Sequence, residues 1–250
     1  MLQALIFDVD GTLADTEQAH LAAFNHAFAQ EGMGWHWDEA LYTELLNISG
    51  GKERMLHYWQ RVQPDVKDIG GAGVRDTIAR LHELKTAAYE SAVQSGAVSL
   101  RPGVLRLMSE AAAANIRLAI ATTTSPVNIA ALLTKAIGPD WRTHFVAIGD
   151  ASTAPHKKPH PQVYLQMLAA LDLPASECLA LEDSNNGLRA ATAAGLPTVI
   201  TPTSYTSHHD FSGALRVVDD LGAVGLGQLR AWHAEATQPM AKAPRSPVVS

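Results

Sequence analysis

The pentapeptide Asp8-Val9-Asp10-Gly11-Thr12 follows the apolar run Leu5-Ile6-Phe7. Side chains two residues apart in an extended chain project the same way. Asp8 and Asp10 are therefore predicted to leave one strand end together, and Gly11 permits the tight turn after them. Two carboxylates that close repel unless a cation sits between them or one holds a proton. A second acidic pair, Glu182-Asp183, ends the run Leu179-Ala180-Leu181. Either pair alone could serve to cap a following helix. Together they place four acids around one crevice, which predicts a hard cation, and oxygen ligands beside a phosphate suit Mg²⁺. Thr122-Thr123-Thr124-Ser125 ends a third run, Leu118-Ala119-Ile120-Ala121. Hydroxyls and backbone N–H groups just before a helix form a phosphate cradle, or they only cap that helix. Lys157-Lys158-Pro159 offers an ammonium against phosphate and acids; Lys158, directly before Pro159, is preferred over its neighbour.

These groups need strands to carry them. Apolar runs at Leu5–Phe7, Leu118–Ala121, Phe145–Ile148, Leu179–Leu181 and Thr198–Ile200, with Leu215–Val218 as a further candidate, alternate with helical periodicity at 104–114, 127–136, 162–171 and 187–194. Short apolar strands alternating with helices predict an α/β fold, a Rossmann-like parallel sheet covered on both faces. Between the first strand and the second, helical spacing predominates at 16–30, 38–46, 52–62 and 75–94, without strand-like alternation. A βαβ crossover needs only about 30 residues. The stretch therefore reads as an all-α domain inserted into the core, with residues 1–15 and 98–236 as the core and 16–97 as a helical cap. The Pro-containing end, 237–250, reads as a loosely docked tail.

The chain has 250 residues, and 19 basic against 25 acidic side chains give a net charge of −6. That balance argues against a nucleic-acid or anionic-membrane partner. Cys178 is the single cysteine, so no internal disulfide forms. No apolar run approaches the roughly 18 residues of a membrane span. Met1-Leu2-Gln3 leads straight into a strand, without the pattern of a signal peptide. These features lead to the expectation of a cytoplasmic monomer acting on a small molecule.

The order Asp8/Asp10, Thr122, Lys158, Glu182/Asp183 resembles the haloacid dehalogenase-like phosphatase superfamily. The helical insert resembles the cap of its β-phosphoglucomutase-like subgroup. Asp15-Thr16-Glu17-x-x-His20, Trp35-x-Trp37-Asp38 and Gly50-Gly51-Lys52-Glu53-Arg54 resemble, within it, the CbbY group, which dephosphorylates the Rubisco inhibitor xylulose-1,5-bisphosphate. The resemblance implies that Asp8 attacks phosphorus to give an aspartyl-phosphate and that Asp10 acts as acid and then base. It implies Mg²⁺ held by Asp8, the Asp10 carbonyl and Asp183, with Glu182 as a ligand or just behind. Thr122 and Lys158 would hold the phosphoryl oxygens, with Thr123 and Thr124 beside them.

The cap adds candidates of its own. Glu17 and His20, at a spacing of three, share a helix face; His20 could touch substrate or orient Asp10, and Glu17 could take sugar hydroxyls. Gly50, Gly51, Lys52 and Arg54 open a helix and suit an anion that is not cleaved. Lys85 and Arg101 are weaker candidates, Lys85 resembling a lysine that caps of this subgroup aim at the site. Trp35 and Trp37 read as packing anchors. Pro159 and Pro161 argue against a zinc site at His156 and His160, and His208-His209 reads as solvent-facing. Phosphoryl transfer between sugar positions, as in a mutase, would use the same core, as would a phosphatase of broader range. A phospho-receiver module would be about half this length, would have no place for the insert and would carry its phosphorylated Asp at the end of a later strand.

Overall fold

The computed structural model describes residues 1–66 and 68–237. Beyond Thr237, the expected tail lies outside the described residues. The elements run β1 (Ala4–Phe7), α1 (Glu17–Gln30), α2 (Glu39–Leu45), α3 (Gly51–Val62), α4 (Ala72–Gln94), α5 (Val104–Ala113), β2 (Arg117–Ala121), α6 (Pro126–Ile137), β3 (Ala147–Gly149), α7 (Gln162–Leu171), β4 (Cys178–Glu182), α8 (Asn185–Ala193), β5 (Thr198–Ile200), β6 (Arg216–Val217) and α9 (Leu226–Thr237). The strands form one parallel sheet in the order β3-β2-β1-β4-β5-β6. β1 lies in the middle, flanked by β2 and β4, so the acids and threonines at three strand ends come out side by side.

The alternation of the strands sorts side chains by size. Leu5, Phe7, Leu118, Ile120, Leu179 and Leu181 face one layer. Ala4, Ile6, Ala119, Ala121, Cys178 and Ala180 face the other, against α7 and α8. Large residues on one face fill the space beneath α5, α6 and α9. The other face, small apart from Ile6, lets two helices approach closely, as close packing requires. Burial on both faces explains why the strands read as continuous apolar runs.

Helices α1–α4 fall between β1 and α5 and hold an apolar cluster of their own. Its centre is Trp37, fully buried, with ring centroids 4.8 Å from both Phe24 and Phe28. Trp35 packs edge-on against Phe28, Tyr58 and Trp59. Asp38 starts α2 by accepting the Leu41 N–H at 2.8 Å. The chain leaves and re-enters the sheet region through two adjacent segments, where Ala14 bridges Leu100 and the Arg101 N–H donates to the Leu13 carbonyl.

Two strands differ from the sequence expectation. The third comprises Ala147–Gly149, not 145–148. Phe145 ends a 3-10 turn with its ring turned inward, and the Val146 N–H is the first to reach Leu118 across the sheet. The last is reduced to Arg216–Val217 at an exposed edge. Among the described residues no helix is long and apolar enough to cross a membrane.

Candidate active site

Asp8 sits at the carboxyl end of β1 and is nearly inaccessible to solvent. Its Oδ1 accepts a hydrogen bond from Lys158 Nζ at 2.6 Å. Lys158 spends its other two protons on Glu182 Oε1 at 2.5 Å and the Ala121 carbonyl at 2.8 Å. One ammonium thus ties the ends of β1, β2 and β4 together. Burial pushes the Asp8 carboxyl up, Lys158 pulls it back, and Glu182 and Asp10 push it up again, to about 7. Lys158 keeps its proton firmly, because the two carboxylates outweigh its burial. The adjacent Lys157 points away and donates to the carbonyls of Ala151 and Ala154. Of the two lysines, Lys158 is the one brought against the acids.

Glu182 is completely buried behind this layer. Its Oε1 also accepts the Tyr164 hydroxyl at 2.6 Å, and its carboxylate lies where a side chain at Gly187 would have to be. Only glycine lets α8 start so close to it. Asp183 comes forward; its Oδ2 accepts the Thr206 hydroxyl at 3.3 Å. Burial first, then Asp8 and Glu182, hold its carboxyl well above the usual range. Gly11, at φ 80, lies against the Asp183 carboxylate with no room for a Cβ. Oxygens of Asp8, Glu182 and Asp183 lie within 4.8 Å of one another. Three buried carboxylates, two of them pushed upward, form an all-oxygen set short of positive charge, and it fits a divalent cation.

Asp10 leaves the same strand end but has different partners. An ammonium only donates, so Lys85 Nζ, 2.8 Å from His20 Nδ1, leaves His20 to donate from Nε2 to Asp10 Oδ1 at 3.0 Å. The His20 ring stacks on Tyr89 with centroids 4.2 Å apart. Burial would raise Asp10, but His20 and Lys85 outweigh it and hold the carboxyl at about 2. Lys85 itself is lowered to about 8, by burial above all, with Asp10 and Glu17 resisting and Arg54 assisting. Glu17 accepts the Tyr42 hydroxyl at 2.6 Å.

One cavity connects these groups. Asp8, Asp10, Thr122, Thr123, Thr124, Lys158 and Asp183 line it from the sheet side. Glu17, His20, Gly50, Gly51, Arg54 and Lys85 line it from the helical insert. Lys52 is not brought in. Gly51 and Arg54 share a face of α3, and Lys52 is rotated about 100° from Gly51, so it is exposed and lines a separate outer groove with Arg75 and Asp76. Arg101 is also outside. Its guanidinium donates to the carbonyls of Gly11, Thr201, Pro202 and Asp219. It is a staple between backbone segments rather than an anion site.

The chain belongs to the haloacid dehalogenase-like hydrolases. That family matches residues 2–195. The protein CbbY (plasmid) of Cupriavidus necator is 52% identical over 248 residues, covering 93% of this chain and 97% of that one. A crystal structure of a mutant CbbY from Rhodobacter sphaeroides in complex with xylulose-(1,5)bisphosphate superposes with a TM-score of 0.83 at 42% identity, covering 92% of this chain and 99% of that one. The β-phosphoglucomutase of Bacillus subtilis is 30% identical over 200 residues, 78% of this chain and 81% of that one. The chain is accordingly an enzyme, a phosphoric monoester hydrolase of the haloacid dehalogenase-like type.

In this hydrolase the cavity also has walls that sequence reasoning missed: Ser49, Ser184, Asn186, Thr206 and His209. His209, expected to face solvent, is half-buried on the cavity, with Nδ1 accepting the Asn185 N–H at 3.3 Å. The docking of its loop onto the start of α8 turns it inward. Asn186 directly precedes the helix expected over 187–194, and none of the five stood out in the sequence as a site residue.

Proposed function

We propose that the protein is a Mg²⁺-dependent phosphatase that hydrolyses xylulose-1,5-bisphosphate to xylulose-5-phosphate and inorganic phosphate. The observation that carries this is one cavity with two places for anions. Thr122 and Lys158 stand beside Asp8 on the core side, and Gly50, Gly51 and Arg54 stand on the insert side. A substrate with one reacting and one retained phosphate matches both. On this reading residues 16–97 form a specificity cap, and 1–15 with 98–236 form the catalytic core.

Asp8 is the nucleophile. A carboxylate oxygen of Asp8 bonds to phosphorus as the bond from phosphorus to the sugar oxygen breaks. Asp10, once it has taken up a proton from solvent in the presence of the substrate phosphate, gives that proton to the leaving oxygen. It then takes a proton from the water that attacks the aspartyl-phosphate, which frees Asp8 and inorganic phosphate. His20 keeps Asp10 ionised at rest, and an arriving phosphate dianion raises its proton affinity by like-charge repulsion. Thr122 and Lys158 hold phosphoryl oxygens in place. Mg²⁺, held by Asp8, Asp183 and the Asp10 carbonyl, with Glu182 behind them, would screen the charge gathered around phosphorus. Glu17 and His20 face the sugar hydroxyls.

The test is phosphate release from xylulose-1,5-bisphosphate, ribulose-1,5-bisphosphate, β-glucose-1-phosphate and p-nitrophenyl phosphate, with Mg²⁺ and with EDTA. A preference of ~10²-fold or more in kcat/KM for xylulose-1,5-bisphosphate, about 2.7 kcal/mol, is expected. Arg54→Met should lower kcat/KM for the bisphosphate by roughly 10- to 100-fold more than for p-nitrophenyl phosphate, since it removes a charged donor. A flat substrate profile would overturn the assignment. Consumption of β-glucose-1-phosphate without phosphate release would point to a mutase.

Lys85 adds a pH dependence. Its ammonium is lowered to about 8 and holds His20 on Asp10. Deprotonation above that pH releases the clamp, so kcat/KM should fall along a basic limb near pH 8. Lys85→Arg should move that limb upward, because guanidinium stays charged. A limb that stays put in Lys85→Arg would assign it to another group.

A further inference from the structure

Asn186 is the second residue of α8, three positions after Asp183. Its side-chain Nδ2 donates to the Asn47 carbonyl at 2.9 Å and to Ser49 Oγ at 3.1 Å. Both acceptors belong to the short segment between α2 and α3, 139 and 137 residues away in sequence. Both protons of one core amide are therefore spent on one piece of the insert. From the other side, Arg54 Nε donates to the carbonyls of Leu45 and Ile48 at 3.1 and 3.3 Å. The segment is clamped between an insert guanidinium and a core amide, and it leads directly into Ser49, Gly50 and Gly51 on the cavity wall.

We infer that Asn186 is a positioning residue for substrate selection. By pinning Asn47–Ser49 to the core, it fixes the distance between Asp8 and the Gly50-Gly51 amides. It thereby sets the length of the phosphorylated chain that can engage both ends. The class selected is an open-chain sugar phosphate with a second anion at its far end. This rests on the bisphosphate reading proposed above. The effect is local, because a separate contact holds the insert to the core. Tyr205, from the loop after β5, is buried in the insert's aromatic cluster and donates to Gln18 Oε1 at 2.6 Å.

The experiment compares Asn186→Ala and Asn186→Asp with the wild type on xylulose-1,5-bisphosphate and p-nitrophenyl phosphate. The aspartate keeps the shape and loses both donors. The ratio of kcat/KM between the two substrates should fall at least tenfold in both variants, mainly through KM for the bisphosphate. Hydrogen exchange at residues 47–51 should speed up at least tenfold. In a Ser49→Ala background, Asn186→Ala should cost less than it does alone, because the two share a contact. Equal losses on both substrates, a ratio within twofold of wild type, or unchanged exchange would overturn the inference. A wild type that does not discriminate between the two substrates would remove the bisphosphate reading and this inference together. A discriminating wild type with an indifferent Asn186→Ala removes the inference alone.

Discussion

Asp8→Asn is expected to lower kcat for phosphate release by at least ~10⁴-fold, about 5.4 kcal/mol at the transition state. The amide has the shape of the carboxylate and almost none of its nucleophilicity, so the aspartyl-phosphate cannot form. The fold should survive the change. Asp8 stands beside Glu182 and Asp183, and burial, opposed by Lys158 and assisted by Glu182 and Asp10, pushes its carboxyl up to about 7. A neutral side chain there removes one of three crowded acids, while Lys158 keeps Glu182 and the Ala121 carbonyl as partners. The melting temperature in EDTA should therefore stay within a few degrees of the wild type. Single-turnover phosphate release with enzyme in excess is the measurement. Residual activity above about 1% with the fold intact would take the nucleophile role from Asp8, because a positioned but unreactive amide leaves only binding and electrostatics to act.

The sheet-side half of this site was legible because buried parallel strands advertise themselves. Each apolar run is short and continuous, and each ends abruptly in Asp8, Thr122 or Glu182-Asp183. Choices that depend on which way a side chain turns were not legible. Lys157 and Lys158 are adjacent and chemically identical; the position before Pro159 favours Lys158 without showing where either side chain turns, which the distances to Asp8 and Glu182 do. Lys52 and Arg54 are two steps apart on one helix. Deciding between them requires knowing which face of α3 turns toward the core, which is set by packing around Phe24, Trp37 and Met55. Arg101 was open to misreading for a different reason. A guanidinium has five donors that suit carbonyl oxygens as well as anions, and its four carbonyl partners come from three distant parts of the chain. Asn186 and His209 reach the cavity through tertiary contacts alone, with no periodicity to announce them.

Lys158→Met is expected to damage both stability and turnover, and the two losses have one origin. Lys158 is the counter-charge for Asp8 and Glu182, and all three of its protons are used. Methionine fills a similar volume and supplies no charge. Removing one partner of a buried ion pair leaves the other uncompensated, at a cost of about 3–5 kcal/mol. Glu182, with no solvent access, would keep only the Tyr164 hydroxyl and the Asp183 N–H. Asp8, already raised to about 7, would rise further and spend less time as the carboxylate that attacks phosphorus. With the phosphoryl contact also gone, kcat should fall at least ~10³-fold, as on loss of a charge-stabilising donor. Glu182→Gln separates the two effects. In the double variant the unpaired charge is absent, so denaturant unfolding should return at least half of the lost stability, while phosphate release stays at the level of Lys158→Met. Additive losses of stability in the double variant would mean that the pair does not act as a unit. Recovery of turnover would mean that Lys158 serves only to neutralise Glu182 and makes no contribution at phosphorus.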